Sequence, residues 1–379
     1  MNVMTSAFGN AGQKCSACSL LLVEKEVFDD PSFKGKVRDA ATSIKVGFNW
    51  DLGNVVGGMI TNRNDKLEHA IAHPEPGTEW LVPPRFLDKE KYVLAPTILW
   101  DVKPDGYSFH TELFAPFLSV VRVDSLQHAI DLVNSLDFGL TSGLQSLDER
   151  EQALWKNSIE AGNLYINRGI TGAIVNRQPF GGMKLSAFGG GIKAGGVNYV
   201  SCFVEATDKK PLSIDAVLQN YKEAAEKEFL HPRDVNHLFG EQNLFRYLPL
   251  KKMVLRVFEN DTVEDIIKVS YAAKTVGTPL TISIHKGDVR VAQLKESAVI
   301  KEESLSDFYK SIPQYDRIRT LSSDIPMEMF ERAAEANKYI AFAPVVSEGR
   351  MELLHYVKEQ SISFEYHRYG SIAEVPAVE

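Results

Sequence analysis

The sequence predicts an α/β protein with two domains, and three observations lead to this prediction. The chain has 379 residues, which is more than a single domain usually contains. From Lys252 onward, short apolar segments alternate with helical patterns, as in βαβ units with a mainly parallel sheet. The polar segment 208–211, which contains a proline, separates this region from the preceding one. We therefore expect one domain at residues 1–208 and a second at 209–379.

The first domain has the elements of a mixed α/β unit. Apolar and β-branched segments predict strands at Leu20–Val23, Tyr92–Leu99, Phe117–Val123 and Leu164–Asn167. Apolar residues at helical spacing predict helices at Pro31–Thr42, Ser125–Leu136 and Glu149–Glu160. Glycine is dense from Gly169 to Gly196, so we expect a loop there.

The second domain repeats a strand–helix pattern. After a helix at Ile214–Phe229, a strand at Met253–Phe258 leads to a helix that Asp261 or Thr262 can cap. Gly277 is expected to end that helix before a strand at Leu280–Ile284. Further helix–strand pairs are predicted at Met327–Asn337 with Tyr339–Phe342, and at Met351–Glu359 with Ser361–Phe364.

Composition excludes several classes of function. The net charge of −8 and the pI near 5.7 argue against nucleic-acid binding, which needs clustered Lys and Arg. We find no apolar stretch of membrane-spanning length and no signal-peptide pattern at the N-terminus. Three cysteines are too few for a disulfide framework, so we expect a cytoplasmic protein.

Cys15 is the leading candidate for a catalytic residue. It lies among small residues and amides, in a segment where a tight turn can direct N–H groups at a reacting oxygen. The alternative for a lone cysteine is a buried structural role. Cys15 and Cys18 also form a C-x-x-C pair, but two sulfurs cannot complete a tetrahedral metal site. We predict no metal.

The segment around Cys15 resembles the nucleophile segment of aldehyde dehydrogenases, F-x-N-x-G-Q-x-C. The match lies at Phe8, Asn10, Gly12, Gln13 and Cys15. A second segment, Glu112–Pro116, resembles the family motif E-x-F-G-P, with Ala115 in place of the glycine. The resemblance implies Cys15 as the nucleophile, Glu112 as a ligand of the NAD ribose, and Phe114 as a support for the cofactor.

A third segment narrows the resemblance to one subfamily. The run T-G-A-I-V-x-R-Q-P-F-G-G at 171–182 resembles enzymes that oxidise L-glutamate γ-semialdehyde, the pyrroline-5-carboxylate dehydrogenases. By this resemblance Gly172 and Ala173 hold the substrate's α-amino-acid head, Ser16 supplies a hydroxyl, and Phe180 packs on the aliphatic part. From glycine content alone, a plain surface loop is the alternative.

A nearby glycine run needs a separate interpretation. Gly189–Ala194 fits G-x-G-x-x-A, but a dinucleotide fingerprint must follow a strand and open a helix. The glycines that come next argue against a helix, so we interpret this match as chance.

The resemblance extends to bifunctional proline-utilisation proteins and implies what else the reaction needs. The similarity covers about residues 6–203, and residues 209–379 resemble an extra C-terminal α/β domain with an architectural role. The family's cofactor domain and general base precede the nucleophile, so we expect a separate cofactor domain as a partner and no activity from this chain alone. The resemblance also implies a proline dehydrogenase module as a further partner, and we expect the chain to form a homo-oligomer. The alternative is a non-catalytic assembly module that retains the fold.

Overall fold

In the computed structural model, residues 1–88, 93–210, 212–294, 298–368 and 371–372 are described. They form two compact units, which consist mainly of Met1–Ala173 and of Ile174–Ser363; the described residues 364–368 belong to the first unit and 371–372 to the second. The chain thus leaves the first unit within the glycine-dense stretch. The domain boundary after residue 208 stays a prediction.

The first unit contains short strands and helices. Its strands are β1 Leu20–Glu24, β2 Glu79–Val82, β3 Phe86–Asp88, β4 Val93–Leu94, β5 Thr97–Trp100, β6 Phe117–Val123, β7 Phe138–Gly139, β8 Thr141–Leu144 and β9 Asn163–Ile166. Its helices are α1 Asn2–Phe8, α2 Lys25–Phe28, α3 Pro31–Thr42, α4 Asp65–Ala72, α5 Tyr107–His110, α6 Leu126–Ser135 and α7 Glu149–Ser158. A 3₁₀ turn, Gly9–Gly12, follows α1.

A four-stranded sheet forms the centre of the first unit. Its order is β1-β6-β5-β2, with β6 parallel to both β1 and β5, and β2 antiparallel to β5. The strands predicted at Leu20–Val23 and Phe117–Val123 are confirmed. The predicted strand Tyr92–Leu99 is interrupted at Pro96, which has no N–H to donate to a sheet, and Tyr92 lies outside the described residues.

The second unit contains the remaining elements, apart from two short strands near the end of the chain. Its strands are β10 Met183–Lys184, β11 Arg233–Asp234, β12 Glu241–Pro249, β13 Met253–Arg256, β14 Leu280–Ile284, β15 Val299–Glu302, β16 Arg317–Thr320, β17 Tyr339–Phe342 and β18 Val357–Glu365. Its helices are α8 Ile214–Ala224, α9 Val263–Thr275, α10 Val291–Leu294, α11 Leu305–Ser311, α12 Met327–Glu335 and α13 Gly349–Glu352. The last strands are β19 His367–Arg368 and β20 Ser371–Ile372. No helix of the described residues is both long and apolar enough to cross a bilayer.

A parallel sheet of doubly wound order forms the core of the second unit. Its strands lie in the order β15-β14-β13-β16-β17, and every neighbouring pair is parallel. The first strand in sequence, β13, is therefore central. Strands β14 and β15 extend the sheet on one side of it, and β16 and β17 extend it on the other. The predicted helix after β13 is confirmed: Thr262 accepts a hydrogen bond from the Asp265 N–H (3.1 Å), and Gly277 follows the helix with a φ of 76°.

The helix predicted at Met351–Glu359 is wrong over its second half. Helix α13 ends at Glu352, a 3₁₀ turn follows, and strand β18 begins at Val357 beside β12, outside the parallel sheet. The polar side chains of β18 can be buried because they have hydrogen-bond partners inside the unit. Glu359 accepts a hydrogen bond from the Lys193 N–H, and Gln360 accepts one from Arg246 Nε. Tertiary contacts override local propensity here.

One ion pair lies entirely inside the second unit. Arg319 and Glu352 are both fully buried, with 3.3 Å between Nη2 and Oε1. Glu352 also accepts from the Tyr356 hydroxyl (2.6 Å) and the Val346 N–H (3.1 Å). Burial alone raises the pKa of Glu352, but the Arg319 charge and these hydrogen bonds outweigh it and hold the pKa below 4.5.

Replacing Glu352 with Gln should destabilise the second unit by about 3–5 kcal/mol, because Arg319 would remain buried without a counter-charge. A carboxyl whose pKa is lower in the folded state stabilises the fold at high pH. That stabilisation is lost as the pH falls below 4.5, so the acid sensitivity should be smaller in the variant. Chemical denaturation followed across this pH range measures both effects.

Glu328→Gln is the matched control, because Glu328 pairs with Arg332 on an exposed helix face. Its free energy of unfolding should equal that of the wild type. Equal effects of the two substitutions would contradict a special contribution of the buried pair.

Candidate functional site

The segment that leads to Cys15 begins with a left-handed stretch of backbone. Phe8 at the end of α1 is fully buried and fixes the helix in the core. Asn10, Ala11 and Gly12 then have φ values of 55°, 55° and 67°. Such values are rare for most residues with a side chain, so Ala11 carries a cost on the order of 1–3 kcal/mol, whereas Gly12 adopts them freely. This left-handed stretch connects the buried end of α1 to the exposed Cys15.

Gly12 places this segment directly against the turn that carries Glu112 and Phe114. A Cβ on Gly12 would lie 2.1 Å from the Ala115 carbonyl oxygen and 2.9 Å from the Pro116 nitrogen. No side chain fits at that distance. The two segments that sequence analysis singled out separately are therefore in backbone contact.

Cys15 lies at the tip of a short turn. The Ala17 N–H donates to the Lys14 carbonyl (2.9 Å), so Cys15 and Ser16 are the two central residues of the turn. Cys15 is exposed, whereas Ser16 is buried. The Cys18 N–H donates to the Ser6 carbonyl (3.0 Å), which fixes the end of the segment to α1. The thiol of Cys15 is thus accessible on a rigid support.

Cys18 has the opposite environment. Burial raises the pKa of its thiol to about 12. The thiol donates a hydrogen bond to the Leu20 carbonyl (3.2 Å), which favours its protonated form. At neutral pH this thiol stays protonated and is a poor nucleophile. Of the C-x-x-C pair, only Cys15 has the exposure that a nucleophile needs.

The turn around Phe114 is held by side-chain amides. Asn64 Nδ2 donates to the Leu113 carbonyl (2.7 Å), and Gln13 Nε2 donates to the Phe114 carbonyl (3.1 Å). Glu112 is exposed, and 41% of Phe114 remains exposed. Both predicted cofactor residues are therefore available on a fixed turn that adjoins the nucleophile segment.

The predicted anchor loop is also held by the first helix. Ser6 Oγ accepts from the Ile170 N–H (3.0 Å) and donates to the Asn2 carbonyl (2.7 Å). Gly172 follows at a φ of 83°, exposed, with Ala173 half-buried. Helix α1 thus supports both the Cys15 turn and the loop that contains Gly172 and Ala173.

Phe180 belongs to the second unit. Its N–H and carbonyl both bond to Ala194 (2.9 Å each), and its ring is half-buried. Within the first unit, the segment of Cys15 and Ser16 contacts the turn of Glu112 and Phe114, and the loop of Gly172 and Ala173 is tied to helix α1 through Ile170. Phe180 is described as part of the second unit.

Tyr165 is a neighbour of Cys15 that the sequence analysis missed. Burial raises the pKa of its phenol to about 12, and a negative charge on Cys15 acts in the same direction. The guanidinium of Arg168 lies 5.6 Å from the centre of its ring. A tyrosine within a predicted buried strand was the available signal, but the sequence of a strand does not indicate which distant cysteine lies near it.

The second unit has the strand order of a nucleotide-binding fold without the usual loop chemistry. Phosphates bind to free N–H groups after the first strand of such a sheet. Here the Phe258 N–H donates to Asp261 (2.8 Å), and Arg290 Nη1 donates to the carbonyls of Phe258 and Asp261. The carbonyls of this loop therefore bond to the guanidinium of Arg290, and the Phe258 N–H is occupied by Asp261.

Other chemistry finds little support in the described residues. No helix begins within Gly189–Ala194, so this run lacks the context of a dinucleotide fingerprint. No group of three or more His, Cys, Asp or Glu in the described part of the chain is arranged to hold a metal ion.

Iodoacetamide should label Cys15 first. At mildly alkaline pH, Cys18 has a thiolate fraction on the order of 10³-fold below that of a thiol with the ordinary pKa of 9.0, since its own is about 12. Partial burial and the nearby Glu359 charge raise the pKa of the exposed Cys202, so it should react more slowly than Cys15. Peptide mass spectrometry over time gives the three rates. A Cys15 that reacts no faster than Cys202 would argue against a nucleophile at this position.

Gly12→Ala should displace the Glu112–Pro116 turn, because the new Cβ would overlap the Ala115 carbonyl and the backbone is left-handed. We expect a loss of about 1–3 kcal/mol in the free energy of unfolding, and a changed Cys15 alkylation rate. Gly9→Ala is the matched control, since Gly9 has a φ of −55° and a Cβ added there would meet no atom within 4 Å. Similar stability and alkylation in both variants would contradict the contact.

Comparison with known proteins identifies close relatives of the first region. Residues 1–208 match the model of the Aldehyde dehydrogenase family. The 1-pyrroline-5-carboxylate dehydrogenase of Staphylococcus aureus is 34% identical over 209 residues, which are 54% of this chain and 39% of that protein. The enzyme of the same name from Geobacillus sp. is 31% identical over 206 residues, again 39% of its length. The chain spans about two fifths of the relatives it matches.

Solved structures extend the similarity to the second unit. Proline Utilization A from Corynebacterium freiburgense superposes with a TM-score of 0.82 at 34% identity, over 98% of this chain and 37% of that one. The 1-pyrroline-5-carboxylate dehydrogenase from Thermus, solved with bound NAD, superposes with a TM-score of 0.50 at 32% identity. The match covers 54% of this chain and 39% of that one. Since the family match covers more than half of its length, this chain belongs to the aldehyde dehydrogenase family.

Proposed function

We propose that this chain supplies the nucleophile-bearing part of an NAD-dependent L-glutamate γ-semialdehyde dehydrogenase, which produces L-glutamate in proline catabolism. The observation that carries the proposal is the contact between Gly12 and the Ala115–Pro116 backbone. It joins the Cys15 segment and the Glu112 turn into one site. The names of the relatives point to the same reaction.

Cys15 is proposed to attack the aldehyde. Its thiolate forms a bond to the carbonyl carbon, and the carbonyl electrons move to oxygen, giving a hemithioacetal. Loss of a hydride leaves a thioester, and water then cleaves the C–S bond to release the carboxylate and the thiolate. The exposed position at the tip of the Lys14–Ala17 turn supports this role. Backbone N–H groups near the turn are candidates to stabilise the oxyanion.

Glu112 and Phe114 are proposed to hold the nicotinamide half of NAD, which accepts the hydride when bound. The residues present fit this group, because a carboxylate can accept bonds from ribose hydroxyls and an exposed aromatic ring can pack on the cofactor. Both residues are exposed on a turn in contact with the nucleophile segment.

The substrate's α-carboxylate is proposed to bind at Gly172 and Ala173. Backbone N–H groups of a left-handed glycine turn form a concave anion site. Gly172 has a φ of 83°, and the hydrogen bond from Ile170 to Ser6 ties this loop to the helix that precedes Cys15. Ser16 and Phe180 are proposed to contact the rest of the substrate.

The region 209–379 is proposed to be structural. Its sheet has the doubly wound order, but Asp261 and Arg290 already bond to the loop where a nucleotide phosphate would bind. Its similarity to a proline-utilisation protein supports an architectural role within a larger assembly.

The remaining requirements of the reaction are expected from another segment. The proposed partner is the main NAD-binding domain, which would also supply the general base. We further propose a proline dehydrogenase module as a partner, and assembly of this chain into a homo-oligomer. A cytoplasmic location also stays a prediction. This chain by itself should therefore show almost no turnover, because each missing group removes several kcal/mol of transition-state stabilisation.

Supplying a cofactor domain of this family, fused or in trans, should produce NADH that depends on L-glutamate γ-semialdehyde. Cys15→Ala should reduce the rate by at least about 10³-fold. Cys18→Ala is the matched control and should retain activity, because Cys18 is half-buried and its raised pKa keeps it protonated. NADH absorbance measures the rates.

Two outcomes would contradict the proposal. Strong turnover by the isolated chain would mean that the general base lies within it. A stable complex with the cofactor domain that never reduces NAD would favour the non-catalytic assembly module.

A further inference from the structure

The side chain of Gln13 bridges two separate loops. Its Oε1 accepts from the Ile60 N–H (2.9 Å), and its Nε2 donates to the Phe114 carbonyl (3.1 Å). Gln13 itself lies two positions before Cys15. One amide therefore links the nucleophile segment to the turn that carries Glu112 and Phe114.

That turn needs an external support. Phe114 has a φ of 50°, in the left-handed region that an aromatic residue adopts at a cost of about 1–3 kcal/mol. Its carbonyl is held by Gln13, and the preceding carbonyl, of Leu113, is held by Asn64 (2.7 Å). Asn64 also caps α4 by accepting from the Leu67 N–H (3.1 Å). Two amide donors thus hold successive carbonyls of one strained turn.

The two supports differ in what else they connect. Asn64 connects the turn to α4, which has no part in the nucleophile segment. Gln13 connects the same turn to the segment of Cys15. Of these two amide supports, only Gln13 connects Phe114 to the segment that carries the thiol, where it adds to the Gly12 backbone contact.

We propose that Gln13 is a positioning residue that holds the Glu112–Phe114 turn in register with Cys15. This inference rests on the proposed dehydrogenase function. Hydride transfer requires the cofactor and the thiol-bound substrate at a set separation, and small displacements of reacting groups cause large rate losses. Gln13 touches neither reactant; it acts through the turn.

Gln13→Glu tests the bridge with nearly the same shape. The carboxylate can still accept from the Ile60 N–H, but it has no donor for the Phe114 carbonyl. In the chain as it exists, we expect amide hydrogen exchange within 113–117 to rise about 10-fold, and the Cys15 alkylation rate to change. In the enzyme joined to its cofactor domain, KM for NAD should rise about 10-fold with KM for the aldehyde unchanged.

Asn64→Asp is the contrasting variant. It keeps the acceptor that caps α4 and loses the donor to Leu113, so it should raise hydrogen exchange of the turn without changing Cys15 alkylation. Gln127→Ala, on the exposed face of α6, should change none of these measurements.

Three results would overturn the proposal. The first is unchanged hydrogen exchange of residues 113–117 in Gln13→Glu. The others are a Cys15 alkylation rate that Asn64→Asp changes as much as Gln13→Glu does, or equal increases in KM for NAD and KM for the aldehyde. Gln13→Ala provides the same tests if the glutamate variant does not fold. A wild-type enzyme that reduces no NAD would refute the proposed function alone, since hydrogen exchange and alkylation would still decide whether Gln13 positions the turn.

Discussion

The site depends on a contact of backbone against backbone, where Gly12 lies on the Ala115–Pro116 peptide. A glycine is required because both the φ of 67° and the space of 2.1 Å at the Cβ position exclude a side chain. The relative position of the Cys15 and Phe114 segments rests on this contact. The Cys15 turn extends from it on one side, and the strained Phe114 turn extends from it on the other. The fold brings the two motifs together by backbone packing.

The segments of the candidate site could be picked out from sequence because their pattern is local. The motif around Cys15 combines a candidate nucleophile, a required glycine and a bridging amide within a few residues. Thr262 and Gly277 also marked helix ends correctly. What sequence could not supply was the long-range bonding. The partners of Gln13 at Ile60 and Phe114 are far away in the chain. The start of strand β18, Val357–Glu359, was predicted as helix for the same reason, because distant hydrogen bonds to polar side chains of β18 permit their burial.

The second unit combines the strand order of a nucleotide-binding fold with a first loop whose groups already bond within the chain. Its sheet keeps the doubly wound order, yet Arg290 bonds to the carbonyls of the loop after the first strand. The stability of the unit comes from its apolar core and from buried pairs such as Arg319 with Glu352. Fold order and ligand binding are separable, since the first depends on strands and the second on a few loop atoms.

The burial of Cys18 has a consequence for oxidative chemistry. A peroxide that converts an exposed thiolate to a sulfenic acid leaves a product that a second thiolate can trap as a disulfide. Cys18 is the nearest sulfur in sequence, but its pKa of about 12 keeps it protonated and unable to resolve that product. Reduction of an oxidised Cys15 would therefore need a thiol other than Cys18, and delay favours irreversible over-oxidation.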